Sequence, residues 1–439
     1  MKKKMVTVLT FLLCLSLLAA ACSGKGGDEA GNGKSNEGQK ANSDLKGELT
    51  LWSFQGEQHK PIIAAFQRKY PNIKLNFSEV EDSHNKLLVA VAAGTGAPDV
   101  AWINENHYGN NKALEGLENL LEEPYNAGQY KDQFNEYAWN AGVNMKGELV
   151  GFPLFMNPYV TFYRQDIIEA AGYPSEPEEF GEFIRDEDNL FELVAAVRAQ
   201  NPEAVFFRHT RELSWMLNTV GFYNHELEYQ RNNDHWVRVI DITKRALSTG
   251  ALPSIEGVDT NQLMANGNLV LYFNPSSAID GLIKYGPDFK GLWRTTTVPF
   301  VEKTPGRGYT QLVIPSQSKN KEAAWAFVKF VSMDPEGAEL MSKSQNIVMA
   351  YKPVKDLPFV ESEGHEFFGG QLMHKFNYSL VDEMEFPIGS PLESAAQKVW
   401  QEGIDEGVTK NMDSRALMTQ LMERIEAEVQ QQKQELLGK

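Results

Sequence analysis

Cysteine is nearly absent from this chain, which contains only 2 in 439 residues. Cys14 lies inside an apolar N-terminal segment and Cys22 follows that segment, so everything beyond residue 22 has none. A disulfide framework and a cysteine-based metal site are therefore excluded for the body of the chain. The 8 histidines form no pair with metal-ligand spacing, and neither an H-E-x-x-H nor a G-x-S-x-G motif occurs.

Basic residues are also scarce, with 42 Lys and Arg against 59 Asp and Glu, a net charge of −17. An acidic surface repels phosphate backbones, so we predict no nucleic-acid partner. The same surface disfavours adsorption to anionic lipid, so any attachment to a membrane would have to be covalent. The apolar run over residues 5–18 is too short to span a bilayer, which needs about 20 residues.

The N-terminus has the layout of an export signal. Three lysines precede the apolar run, and Ala19-Ala20-Ala21 follows it, which predicts a secretory signal peptide over residues 1–21. Together with Cys22, these small residues resemble the lipobox of bacterial lipoproteins, which implies that a diacylglyceryl group is attached to Cys22. A plain signal peptide with an incidental cysteine is the alternative. Residues 22–46 are mostly small and polar, and we predict a lipidated cysteine followed by a disordered tether.

Folded structure is predicted from Gly47 onward. Apolar and β-branched residues indicate a strand over 48–54, a helix from Pro61 to the residue before Tyr70, and a strand over 73–77. A further helix and a strand over 99–103 complete a βαβαβ pattern, which predicts an α/β fold with a parallel sheet. Later strands are predicted over 160–163, 269–273 and 309–314, and helices over 321–331 and 414–437.

Several sequence pieces, in order, resemble family 1 extracellular solute-binding proteins, which serve ABC importers, most often for sugars. The first is Gly47-Glu-Leu-Thr-Leu-Trp-Ser-Phe54, followed by Phe66-Gln-Arg-Lys-Tyr-Pro-Asn-Ile73 and Ala93-Gly-Thr-Gly-Ala-Pro-Asp-Val100. The others lie over residues 151–164, 264–274 and 314–330.

The resemblance implies a two-lobed periplasmic-binding-protein-like fold of type II. Its lobes are hinged, and each has a mixed or parallel sheet flanked by helices. We assign residues 47–155 and 265–308 to lobe 1, and residues 156–264 and 309–439 to lobe 2.

Candidate ligand contacts are taken from the carboxyl ends of the strands, outside which ligands of open α/β sheets bind, from the crossings between lobes, and from a loop or helix of the second lobe that contains Trp215. The residue types wanted for a sugar are aromatic rings for its C–H faces and amides or carboxylates for its hydroxyls. The resemblance implies ligand contacts near Gln55, Asn106, Asn157 and Tyr309. The full predicted set is Trp52, Gln55, Glu57, Asn104, Glu105, Asn106, Asn157, Tyr159, Trp215, Phe273, Asn274 and Tyr309. Each has a structural alternative, in the core, in a turn or at a helix start.

By this resemblance, the chain is a solute-binding lipoprotein that captures a carbohydrate, an oligosaccharide by first choice, and delivers it to the permease of an ABC importer. We expect a monomer with no cofactor and no metal, held by its lipid on the extracellular face of a Gram-positive-type cell membrane. Three alternatives stay open: the same fold with a polyamine, peptide or chelate as ligand, a lipid-anchored carbohydrate-active enzyme, and a sensor subunit.

Overall fold

The computed structural model describes residues 45–53, 56–104, 114–218, 220–384 and 389–438. The predicted signal peptide, Cys22 and nearly all of the predicted tether lie outside these ranges, as do Gln55, Glu105 and Asn106. The side chain of Glu57 is likewise outside the description. The described residues belong to one compact unit, Ser43–Lys439.

Strands and helices alternate through most of the described chain, as the predicted α/β class requires. The strands are β1 (Gly47–Ser53), β2 (Ile73–Glu79), β3 (Val100–Asn104), β4 (Phe152–Arg164), β5 (Leu271–Pro275), β6 (Trp293–Thr296), β7 (Gly306–Val313) and β8 (Val348–Met349). The helices are α1 (Gly56–Lys69), α2 (Ser83–Ala92), α3 (Glu136–Ala141), α4 (Gln165–Ala170), α5 (Pro177–Phe183), α6 (Glu187–Gln200), α7 (Thr210–Met216), α8 (Asp234–Ser248), α9 (Thr260–Asn266), α10 (Ile279–Tyr285), α11 (Lys321–Met333), α12 (Pro335–Gln345), α13 (Pro358–Ser362), α14 (Met373–Ser379), α15 (Glu393–Thr409) and α16 (Ser414–Leu436).

The N-terminal strands form the predicted parallel arrangement, with β1 between β2 and β3. Leu49 and Leu51 alternate along β1 and are both fully buried, which gives the strand its apolar face. Helix α1 begins five residues before the predicted start at Pro61, which lies inside it. It ends immediately before Tyr70, as predicted, because Pro71 keeps Tyr70 out of the helical region.

The long strand β4 is shared by two sets of partners. Its first half, from Phe152 to Pro158, pairs antiparallel with β7 and β8. Its second half, from Tyr159 to Arg164, pairs antiparallel with β5 and β6. Because β7 also pairs with β3, the strand order runs β2-β1-β3-β7-β4-β5 and passes through β4 from one half of the protein to the other.

Buried apolar side chains form a first core and a second core, with a smaller third cluster beside the second. The first core draws on β1, β3, β7, α11 and the first half of β4. The second draws on the other half of β4, on β5 and on the helices from α4 to α8, together with α15 and α16. The third contains residues of β4, β5, β6, α9, α10 and α14.

This distribution differs from the predicted allocation of segments between lobes, which stays a prediction. We predicted that residues 265–308 lie with lobe 1 and that the segment from 309 onward lies with lobe 2. Instead, β5 and β6 pack in the second and third clusters, whereas β7 and α11 pack in the first core. The physical reason is the pairing of β7 with β3 at Asn104↔Thr310, which inserts this returning strand into the first sheet.

The C-terminal helices complete the second core. Helix α16 buries Leu417, Leu421, Ile425 and Val429, the spacing predicted from the sequence. The two helices approach closely because Gly403 and Gly407 of α15 face leucines of α16, where a Cβ atom has no room. Among the described residues, no helix is both long and apolar enough to cross a membrane.

Candidate ligand-binding site

The first group of predicted residues lies at the carboxyl ends of β1 and β3. Trp52 is the penultimate residue of β1 and Asn104 the last of β3, and the two strands run parallel. Trp52 is only partly buried against the first core. The side-chain oxygen of Asn104 is buried and has no hydrogen-bond partner among the described residues. Because such an oxygen is costly to leave unpaired, Asn104 is a candidate acceptor for a ligand or water.

The second group lies at the carboxyl end of β5, where Asn274 is the penultimate residue and is partly exposed. The Nε2 atom of Gln58, in the first turn of α1, lies 3.5 Å from Oδ2 of Asp280 on α10. Since α1 follows β1 and α10 follows β5, this contact shows that the carboxyl ends of β1 and β5 face each other. The candidate site is the cleft between these strand ends.

A buried ion pair stands beside β5. Oε1 of Glu212, which is fully buried, accepts from Nε of Arg208 at 2.8 Å and from Nη2 at 2.5 Å, and Oε2 accepts from the Arg208 backbone N–H at 2.7 Å. Nη2 of Arg208 also donates to the carbonyl of Phe273 at 3.2 Å. Burial lowers the pKa of Arg208, but the Glu212 carboxylate outweighs it and the pKa is raised, so the guanidinium is a fixed cation.

Tyr272 and Asn274 share one face of β5, because they are two residues apart. The guanidinium of Arg208 lies over the Tyr272 ring, 4.5 Å from its centroid, and the amide of Asn274 donates to the Tyr272 hydroxyl. Polar groups therefore lie in contact at this end of the strand, from the buried carboxylate of Glu212 through Arg208 and Tyr272 to the partly exposed Asn274.

An aromatic pair follows Arg208. The rings of His209 and Trp215 meet edge-to-face, with centroids 5.2 Å apart and an interplanar angle of 79°. Burial lowers the pKa of His209, so the ring is neutral at pH 7. Both side chains are partly exposed. They offer an apolar surface of the kind on which a sugar ring packs.

Asn157 lies at the middle of β4 and is almost fully buried, with 2% of its surface exposed. Its Nδ2 donates to Oγ of Ser277 at 3.2 Å, and its Oδ1 accepts from the backbone N–H of Val348 at 3.3 Å. The side chain therefore connects the turn after β5 with β8. A ligand contact for Asn157 stays a prediction, because its amide is already paired within the protein.

Three other predicted residues have rings inside the protein. Tyr159 and Phe273 belong to the second core, and Phe273 stacks on Phe207 with centroids 5.3 Å apart. Tyr309 belongs to the first core. Their ligand contacts stay predictions, as do those of Gln55, Glu57, Glu105 and Asn106, whose side chains lie outside the description.

Arg208, Glu212 and Tyr272 were not among the residues predicted from the sequence. A signal was present for the first two, because an arginine and a glutamate four residues apart can pair on one helical turn. That spacing is common on exposed helices, and nothing in the sequence shows that Glu212 is fully buried. For Tyr272, only the position two residues before Asn274 pointed to the same strand face.

A separate cavity of about 410 Å³ has other residues in its lining. It is lined by Asn140 of α3, by residues 143–145 and 223–225, and by Gly389 and Ser390. None of the predicted site residues lines it. Within the described ranges, no three His, Cys, Asp or Glu side chains are grouped to hold a metal ion. What the cleft offers instead is aromatic surface with amide, hydroxyl and guanidinium hydrogen bonds, which suits a polar ligand with apolar faces.

Comparison with known proteins decides the family. The model of the bacterial extracellular solute-binding protein family matches residues 61–368, more than half of the chain. The chain belongs to this family. The resemblance seen in the sequence is thereby confirmed. Family members are binding proteins rather than enzymes, and the family is an extracellular one.

Known proteins resemble this chain in sequence and in fold. An arabinooligosaccharide-binding protein from Bacillus subtilis is 25% identical over 381 residues, covering 81% of this chain and 81% of that protein. A solved family 1 extracellular solute-binding protein superposes with a TM-score of 0.74 at 18% identity, covering 87% of this chain and 99% of the other. A binding protein from B. animalis subsp. lactis, solved with β-1,6-galactobiose, gives a TM-score of 0.68 at 19% identity, covering 89% and 99%. The two-lobed α/β fold is confirmed.

Proposed function

We propose that this solute-binding protein captures a neutral oligosaccharide in the cleft between the ends of β1, β3 and β5 and delivers it to an ABC importer. The observation that carries this proposal is the combination of residues on the two sides of the cleft. Trp52 and Asn104 lie on one side, and Trp215, Tyr272 and Asn274 lie on the other. Rings for C–H faces and amides for hydroxyls are what a sugar requires.

The arabinooligosaccharide-binding relative supports a carbohydrate over the other ligand classes. Charge supports the same choice, because the one buried cation described at the cleft, Arg208, is already compensated by Glu212. An acidic ligand would gain little from such a pair. A cationic ligand such as a polyamine would meet a guanidinium close to the Tyr272 ring.

Capture would proceed by closure of the two lobes, for which we take the first core as one lobe and the second core with the third cluster as the other. A ligand held by both sides stabilises the closed state in proportion to its extra contacts there. The importer would then recognise the closed shape. The strand β4, which runs through both halves, provides the crossing about which such a motion would turn.

We further propose that the mature protein is a monomer attached by a lipid on Cys22 and a tether over residues 22–46. Such an anchor would keep the receptor on the extracellular face of the cell membrane, next to its permease. Incorporation of a labelled fatty acid into the wild-type protein, and its loss in Cys22→Ser, would support the anchor. Equal labelling of both proteins would contradict it.

The central test is a binding screen on the chain without its first 22 residues. Thermal denaturation is followed with arabinotriose, galactobiose and maltotriose, and in parallel with spermidine, a tripeptide and a siderophore-type chelate. A ligand at 100 times its dissociation constant stabilises the fold by about 2.7 kcal/mol, which gives a clear shift. Stabilisation by spermidine or a peptide alone would refute the sugar proposal. Chromatography of the bound sugar after a day distinguishes a receptor, which returns it intact, from an enzyme.

A further inference from the structure

The hydroxyl of Tyr272 has an unusual hydrogen-bonding position. Tyr272 lies on β5 with 7% of its surface exposed, and its hydroxyl oxygen accepts from the amide of Asn274. Because Asn274 is the penultimate residue of β5, the Tyr272 side chain leans toward the carboxyl end of the strand. The hydroxyl is therefore at the edge of the sheet that borders the cleft.

The proton of this hydroxyl has no acceptor within the described part of the chain. Asn274 uses its N–H on the tyrosine oxygen, and the guanidinium of Arg208 carries donors only. Burial raises the pKa of Tyr272, although Arg208 and Asn274 act in the opposite direction, so the group keeps its proton at pH 7. A buried donor without an acceptor costs free energy until a ligand or a water supplies one.

Arg208 is held in place over the Tyr272 ring by its own hydrogen bonds. Two of its nitrogens are held by Glu212 and one of them also by the carbonyl of Phe273. The guanidinium cannot turn toward a ligand without breaking this arrangement. The guanidinium covers the Tyr272 ring and donates to its hydroxyl oxygen, so that oxygen already has donors from Arg208 and Asn274.

We propose that the Tyr272 hydroxyl donates a hydrogen bond to one oxygen of a neutral sugar unit and so determines specificity, with Arg208 and Glu212 as positioning residues. This inference rests on the proposed function. The ligand chemistry it selects is a hydroxyl or ring oxygen free to accept. A sugar that lacks this oxygen leaves the buried donor unpaired and is rejected.

Tyr272→Phe is the direct test, because it removes the oxygen and keeps the ring beneath Arg208. We measure the dissociation constant by titration calorimetry with the tightest binder among arabinotriose, galactobiose and maltotriose. A loss of about 10- to 100-fold in affinity is expected. Tyr163→Phe is the matched control: its hydroxyl, on β4, already donates to the carbonyl of Ser175 at 2.6 Å, so affinity should be unchanged.

The positioning role is tested by a double-mutant cycle. Arg208→Lys should weaken binding in the wild-type background and have almost no further effect on Tyr272→Phe, because it acts through the same hydroxyl. Arg164→Lys is its control. Arg164 is about as buried as Arg208 and donates two hydrogen bonds of 2.7 and 2.8 Å to Asp166. It is the last residue of β4, at the end of the strand remote from the carboxyl end of β5.

A second measurement keeps the inference testable if these variants fail to fold. Monodeoxy analogues of the same oligosaccharide are titrated against the wild-type protein, and one of them should lose the same 10- to 100-fold. Losses of affinity below threefold for every analogue, or unchanged affinity in a folded Tyr272→Phe protein, would overturn this inference and leave the proposed function standing. A wild-type protein that binds no oligosaccharide would overturn the proposed function, and this inference with it.

Discussion

Replacing Asn157 by alanine tests whether this residue holds the crossing strand or contacts the ligand. The side chain is buried at the middle of β4 and donates to Ser277 while accepting from the backbone N–H of Val348. A weaker contact of 3.5 Å joins its Oδ1 to Oγ of Ser276. Truncation leaves the Val348 donor unpaired, which costs about 1–3 kcal/mol, and loses one neutral bond worth about 1 kcal/mol.

We therefore expect the free energy of unfolding to fall by roughly 2–3 kcal/mol in Asn157→Ala. Urea denaturation followed by tryptophan fluorescence measures this as a lower midpoint with an unchanged slope. Sugar affinity should fall as well, because the side chain connects the turn after β5 with β8 and so helps to set how the two sides of the cleft meet.

Asn144→Ala is a matched control. Asn144 is similarly buried, and its Oδ1 and Nδ2 bond only to Lys146 and Glu148 of its own loop. It should lose stability without losing affinity. An Asn157→Ala protein within 0.5 kcal/mol of wild type would refute the reasoning. If that protein also lost sugar binding, Asn157 would be a direct ligand contact, as predicted from the sequence.

Three further predictions concern other parts of the molecule. Trp52→Ala should weaken sugar binding about tenfold while the melting temperature stays within a few degrees; unfolding would mean that Trp52 is a core residue. Gly407→Ala should lower the free energy of unfolding in urea by about 1–3 kcal/mol, because the new methyl group meets Leu417. Glu402→Ala, at an exposed position of the same helix, is the control and should leave stability unchanged. Burial lowers the pKa of His374 to about 4, so between pH 6.5 and 4 the unfolded chain binds a proton that the folded chain does not, and the free energy of unfolding falls as pH falls through this range. His374→Gln should flatten this pH dependence, and a profile identical to that of the wild type would contradict the prediction.

Local patterns predicted the elements of the first sheet well. The strands near 48, 73 and 99 and the end of α1 before Pro71 all follow from residue spacing and proline geometry. The helix from Ser414 was predicted for the same reason. These features depend on residues close together in the chain, which the sequence presents directly.

Features that depend on residues far apart in the chain were harder to predict from the sequence. Strand β4 was predicted over 160–163 only, because Pro153 and Pro158 interrupt the pattern. In the structure Pro153 lies next to an irregular point in the pairing with β7, and Pro158 pairs with Gly306, the first residue of β7. The allocation of β5 and β7 to cores depends on pairings across more than a hundred residues. The role of Tyr272 depends on Arg208, 64 residues away, and no spacing rule connects them.

The undivided strand β4 has a consequence for how this fold can vary in length. Its 13 residues pair with two groups of strands. The pairing with β7 has irregular points up to Asn157, whereas the register with β5 is unbroken from Tyr159 to Tyr163. An insertion or deletion of one residue near Pro158 would turn the following side chains of the strand to the opposite face and take Tyr159 and Tyr163 out of the second core. Changes in chain length are therefore expected in the loops, such as the one between β6 and β7, and not in this strand.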